Sequence, residues 1–152
     1  MRITAKVDYA VRVCAELAAA DPGEPVKGEA LATAQDVPLN FLWSILGELR
    51  KAGIVRTQRG AHGGYHLAQP ASEITVADVI RAVEGPMATV RGESPEQVEY
   101  RGSAESLRQV WIAVRASLRA VAEHVTLEQI AAGKLPAHVT ALTDDPDAWL
   151  RR

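Results

Sequence analysis

The chain has 152 residues, of which 47% are apolar and 24% charged, with a formal net charge of −2. This is the composition of an ordinary soluble globular protein, and no apolar run approaches the ~20 residues that cross a bilayer. The acidic total excludes nucleic-acid binding by overall charge, leaving it to local patches, and the single cysteine, Cys14, excludes an internal disulfide.

The first predicted helix covers 3–20, with Val7, Ala10, Val11, Cys14, Leu17 and Ala18 on one apolar stripe. Asp8 and Arg12 sit four apart on another face and can pair. Asp21-Pro22-Gly23-Glu24-Pro25 stops it. A second helix is expected from Lys27 to Gln35 and a third from Pro38 to Ala52, with Gly53 as its C-cap. Proline's missing N–H and fixed φ make Asp36-Val37-Pro38 a tight break. Leu39, Leu42, Ile45, Leu46 and Leu49 then form the buried stripe of helix three. Pro38, Asn40, Phe41, Trp43 and Ser44 fall near its start and off that stripe, where a recognition helix carries base-contacting side chains.

A hairpin follows, pairing Ile54–Gln58 with Tyr65–Leu67 around the tip Arg59-Gly60-Ala61-His62-Gly63-Gly64. Arg50, Lys51, Arg56 and Arg59 face only Glu48 in this stretch, so it is locally basic. Arg59, Gly60, His62 and Gly63 therefore make a wing tip suited to phosphate contact and a narrow minor groove. Taken alone it also reads as an ordinary surface hairpin with a solvated charge cluster. His62 and His66 flank the tip and are expected to face DNA or solvent; the four histidines show no metal-ligand spacing. Thr75 with Asp78 caps a fourth helix that buries Val76, Val79, Ile80 and Val83 and ends at Gly85-Pro86.

Residues 87–102 read as an irregular polar segment. A long helix is expected from Ser103 to Val125, with Leu107, Val110, Trp111, Val114, Leu118, Val121 and Val125 on a near-heptad seam. So small a domain leaves that seam little to pack against, which points to a second copy of the chain; a core helix of a monomer is the other reading. A short closing helix follows from Leu127 to Ala132, and the tail from Ala137 is expected to be less ordered, with Trp149 docking it.

The fragments Met1-Arg2-Ile3-Thr4, Asp8-Tyr9-Ala10-Val11-Arg12 and Leu49-Arg50-Lys51-Ala52-Gly53-Ile54-Val55 then combine with later ones. These are Arg59-Gly60, Gly63-Gly64-Tyr65 and the run 73–86 from Glu73 to Pro86. In this order they resemble the Rrf-type winged helix-turn-helix transcription regulators over residues 1–133. The resemblance implies a mainly α fold with a small β-wing. It divides the chain into a winged helix-turn-helix DNA-binding domain (1–86), a sensor-type loop (87–102), a dimerisation helix with a short closing helix (103–133) and a C-terminal tail (134–152). It further implies a homodimer that binds a palindromic operator in double-stranded DNA, usually as a repressor, with the long helix crossing to the partner. In that picture Pro38, Asn40, Phe41, Trp43 and Ser44 enter the major groove and Arg59 the minor groove.

Family recognisers often carry a polar or acidic residue where Trp43 stands. Trp43 either contacts a thymine methyl or the backbone wall, or packs on the neighbouring helix. Cluster-binding members carry three cysteines between the Glu-Gly-Pro motif and the long helix, and this segment has none, so no iron–sulfur cluster and no other cofactor or metal is expected. Asp8, which aligns with a carboxylate ligand of one member, is expected to pair with Arg12 instead, and Cys14 to be an inert packing residue. The input is then an unidentified small molecule or partner protein acting near 87–102. A winged protein–protein module or corepressor with Phe41 and Trp43 as its sticky surface is the alternative. No catalytic constellation appears, Gly60 to Gly64 does not open a helix as a nucleotide loop would, and no leader is evident, so a cytoplasmic non-enzyme is expected.

Overall fold

In the computed structural model, which describes Arg2–Arg151, Thr4 starts helix α1 (Ala5–Ala19). Met1 of the N-terminal motif and Arg152 of the tail lie outside the described residues. The Thr4 hydroxyl accepts a hydrogen bond from the Val7 amide at 3.2 Å, satisfying a donor the helix itself leaves open. Val7, Ala10, Cys14 and Leu17 are buried as the stripe predicts; Val13 joins them, while Val11 and Ala18 are half-buried. Helix α1 is central: it packs against α2 (Gly28–Gln35), α3 (Leu39–Lys51), α4 (Val76–Glu84) and α6 (Leu127–Ala131).

The break between α2 and α3 is tight because Asp36 takes a left-handed conformation, φ +49°, and the Val37 amide returns to the Ala32 carbonyl at 3.0 Å. On α3, Leu42, Ile45, Leu46 and Leu49 are essentially inaccessible, each burial worth about 1.5–3 kcal/mol. Leu39 departs from the predicted stripe and is 46% exposed. The first turn of α3 overhangs the body, so Pro38, Leu39, Asn40 and Phe41 are all exposed whatever their spacing. Ala52, not Gly53, caps the helix. Gly53 lies one residue beyond at φ +74°, with its amide on the Arg50 carbonyl (3.1 Å) and the Ile54 amide on the Leu49 carbonyl (3.0 Å), the double closure that favours glycine there.

Strands β1 (Val55–Gln58) and β2 (Gly64–Leu67) pair antiparallel, Val55 opposite Leu67 and Gln58 opposite Gly64. Val26 adds a one-residue third strand by exchanging two 2.8 Å backbone hydrogen bonds with Tyr65. The wing is thereby fastened to the residues that lead into α2.

Helix α4 carries the predicted capping box: Thr75 Oγ1 accepts from the Asp78 amide at 3.2 Å and Asp78 Oδ2 accepts from the Thr75 amide at 2.9 Å. Thr75→Ala should lower unfolding free energy by about 1 kcal/mol, read as a shift of the urea midpoint; an unmoved midpoint would show the cap to be idle. The far end of α4 is tied to the start of α1 through the Thr4 hydroxyl and the Glu84 carboxylate. A second capping box, Thr126 with Gln129, starts α6, and the Leu127 amide bonds to the Ile74 carbonyl at 2.9 Å.

Helix α5 (Leu107–Ala122) is shorter than expected at both ends. Residues 102–104 form a 3-10 turn, and past Ala122 the chain turns inward so that the Val125 carbonyl accepts from the Val76 amide at 2.9 Å. Val125 is therefore buried within its own chain rather than placed on the seam. The segment 87–102 is irregular, but a 3-10 turn at Pro95–Gln97 leaves Pro95 and Val98 buried. The tail, expected to be less ordered, forms α7 (Ala137–Thr143) and a 3-10 turn at Pro146–Trp149. Trp149 does not dock it: the residue is 77% exposed and its ring N–H donates to the Thr143 carbonyl at 2.7 Å. His138 makes the contact with α5, its Nε2 lying 3.2 Å from the Ala120 carbonyl and its ring edge-on to His124. Among the described residues no helix is long and apolar enough to cross a membrane.

Candidate nucleic-acid interface

Helices α2 and α3 meet at the Asp36–Pro38 break, and the first two turns of α3 bury Leu42 and Ile45 while leaving their other face open. Pro38, Asn40, Phe41, Trp43 and Ser44 are all exposed there. The two aromatic rings are nonetheless held. Phe41 meets Tyr9 of α1 edge to face, centroids 5.8 Å apart at 70°, and Trp43 lies against Gly28 at the start of α2. Trp43 thus packs on the neighbouring helix, one of the two readings the sequence leaves open, and still exposes 43% of its surface.

The wing tip is built from close backbone approaches. Gly60 sits at φ +108° and its carbonyl accepts from the Gly63 amide at 2.9 Å. A Cβ on Gly63 would lie 2.3 Å from the Gln58 carbonyl oxygen, and one on Gly64 would lie 2.5 Å from that of Val26. Arg59, Gly60 and His62 are exposed on this tip. Arg50, Lys51, Arg56 and Arg59 are exposed too, and none of their side chains has an ion-pair partner among the described residues. The nearby Glu48 is taken by Lys6 of α1 at 2.7 Å. Four exposed cations at the end of α3 and on the wing are therefore without protein counter-charges among the described residues, and such cations are available to a polyanion. His66 lies half-exposed opposite Arg56, and burial followed by the Arg56 charge lowers its pKa.

Asp8 pairs with Arg12 at 3.1 Å, as expected. Arg12 also donates to the Gln35 carbonyl and lies over the Tyr9 ring, so one side chain ties α1 to the end of α2. The Cys14 thiol is wholly buried, and burial pushes its pKa up to about 12. The native protein at pH 8 should resist iodoacetamide and label fully only in denaturant; rapid native labelling would contradict the packing role. Because the folded pKa is raised, the thiol's stabilising contribution is full below its unfolded pKa of about 9.0 and declines as pH rises toward 12.

Helix α5 touches its own chain through clips more than core. Ala122 is its one buried residue; Arg108 Nε donates to the Val98 carbonyl (3.1 Å), Arg115 pairs with Glu96 (2.8 Å), and Glu123 takes Arg119 (2.8 Å) and Arg81 of α4. The hydrogen bond from Arg119, then that from Arg81, lowers the Glu123 pKa. Val110 and Trp111 remain 50% and 36% exposed, whereas Leu107, Val114, Leu118 and Val121 are half-buried. A cavity of about 510 Å³ opens between the start of α1, the end of α4 and Leu118, and one of about 400 Å³ lies between residues 88–91 and Trp111. They share Ala88 and Thr89 as walls.

The family model Rrf2, described as an iron-dependent transcriptional regulator, matches residues 3–133. The chain belongs to the Rrf2 family. It is 48% identical over 145 residues to a Mycobacterium tuberculosis protein named as an HTH-type transcriptional regulator, Rv1287, covering 95% of this chain and 90% of that one. The solved structure of CymR, the global cysteine regulator of Bacillus subtilis, superposes with a TM-score of 0.74 at 30% identity, covering 88% of this chain and 98% of the other. That of T. potens IscR gives 0.68 at 28% identity, with 100% and 93% covered. This Rrf2 chain is accordingly a DNA-binding transcriptional regulator with a winged-helix fold, and not an enzyme.

The iron of the family description does not fit the donors present. One thiol per chain is available, it is buried in α1 with its pKa about 12, and the segment 87–102 supplies no other. Among the described residues no three His, Cys, Asp or Glu side chains gather closely enough to hold a metal ion. Glu96, an acid of that segment, is engaged by Arg115. An iron–sulfur cluster needs thiolate ligands that this chain does not provide.

Proposed function

We propose that this Rrf2 chain is a homodimeric repressor that reads a palindromic operator. The carrying observation is that the start of α3 is exposed after the Asp36–Pro38 break, and that Arg50, Lys51, Arg56 and Arg59, at the end of α3 and on the wing, are exposed without ion-pair partners among the described residues. In this reading residues 1–86 bind DNA: Pro38, Asn40, Phe41, Trp43 and Ser44 enter the major groove, and Arg59, with Gly60, His62 and Gly63 at the tip, reaches the minor groove. Arg50, Lys51 and Arg56 neutralise phosphates. Leu107, Val110, Trp111, Val114, Leu118 and Val121 of α5 face the partner chain; the half-covered seam and exposed Val110 and Trp111 support this. Residues 87–102 take the input, a small molecule or a protein, since their loop walls the two cavities against α5. The tail 134–152 is an appendage of α5.

The test is selection of bound fragments from genomic DNA by the purified protein. Fragments sharing an inverted repeat near promoters, with transcription from them rising when the protein is removed, carry the reading. Bound fragments with no common sequence would end it.

A further inference from the structure

Gly28 is buried at the first position of α2, and nothing in its backbone calls for glycine, since its φ lies outside the left-handed region. The reason for it is a single side chain: a Cβ on Gly28 would lie 2.4 and 2.5 Å from Cζ3 and Cη2 of Trp43, the far edge of the six-membered ring. The slot is itself anchored, because Val26, two residues earlier, is hydrogen-bonded to Tyr65 of the wing. Trp43 is thus fixed at one end and 43% exposed over the rest, and its N–H, its one polar side-chain group, has no hydrogen-bond partner among the described residues.

We propose that Gly28 is a positioning residue for operator choice: its slot fixes the Trp43 ring so that the indole N–H selects against cytosine at one base of each half-site. The inference rests on the proposed entry of α3 into the major groove. There guanine, adenine and thymine each present an acceptor, whereas cytosine presents a donor. An indole donates and cannot accept, so it opposes a cytosine edge and suits the other three. A ring free to swing would impose no such choice; the slot removes that freedom.

The experiment recovers bound duplexes from a pool randomised over both half-sites, using wild type, Gly28→Ala, Trp43→Phe and the double variant. Wild type should deplete cytosine about tenfold at one position per half-site. In Gly28→Ala the added methyl meets the far end of a side chain rather than backbone, so the fold persists, the ring swings out and the depletion is lost. Trp43→Phe, with a shorter ring and no N–H, loses it as well, and adding Gly28→Ala to that variant lowers affinity no further. Thermal melting checks that each variant folds; if Gly28→Ala does not, recovery of the fold in the double variant ties Gly28 to the Trp43 ring and Trp43→Phe reads the base preference, whereas a double variant that also fails to fold overturns the slot. Unchanged base preference in a folded Gly28→Ala or in Trp43→Phe overturns the inference. So does a shared wild-type sequence without cytosine depletion, or an affinity loss from Gly28→Ala that persists in the Trp43→Phe background. A wild type that enriches no shared sequence overturns the operator reading and this inference with it.

Discussion

Replacing Val110 and Trp111 together by aspartate should leave a folded monomer whose operator affinity is lower by about 10²–10⁴-fold. The size follows from linkage of two half-sites: when one winged unit has bound, the second binds at an effective concentration set by the dimer, and that advantage vanishes when the seam is broken. Both side chains are exposed and on α5, which buries Ala122 alone, so two carboxylates there leave the winged domain's core of α1, α3 and α4 untouched. Placed across an apolar seam they would face the same charges of the partner without counter-ions, which desolvation makes prohibitive. Light scattering gives the mass and fluorescence anisotropy the affinity. A variant that stays dimeric would place the subunit contact elsewhere, and a monomer that binds as tightly as wild type would show that affinity does not come from linking two half-sites.

The second large effect is at the wing. Arg59→Ala should weaken operator binding by roughly one to two orders of magnitude and make its salt dependence shallower by about one counter-ion. Arg59 is exposed and makes no ion pair among the described residues, so its removal has nothing in the protein to destabilise. A loss of affinity with an unchanged melting temperature then reports a DNA contact alone. Arg91, an exposed cation of the 87–102 segment, is the control: its alanine variant should keep both affinity and salt slope. Equal losses from the two substitutions would mean that general charge, and not the wing, governs binding.

What could be read in the sequence was local. The capping box at Thr75, the stop at Asp36–Pro38 and the burial of Leu42, Ile45, Leu46 and Leu49 each depend on residues within a turn or two. The departures come from distant partners. Leu39 has the spacing of a core residue, but the body ends before it; Val26 pairs with Tyr65 across the wing as a single residue, too short for any strand pattern. Val125 continues the heptad of α5, yet the pull of Val76 turns it inward. The tail hid α7 because its helix is short and none of its residues is buried. At the candidate site the cations and aromatics stand out by type, whereas the slot at Gly28 does not. A glycine opening a helix carries no signal until the ring that needs the space is seen beside it.

In the proposed reading two copies of this chain read one palindrome through α3 and the wing. Footprinting and mass measurement on the selected operator test it directly. The expected result is two chains on one duplex, protecting two inverted half-sites whose centres lie about one helical turn, ~34–36 Å, apart. One chain on one unrepeated site, or protection spread evenly along the duplex, would contradict it.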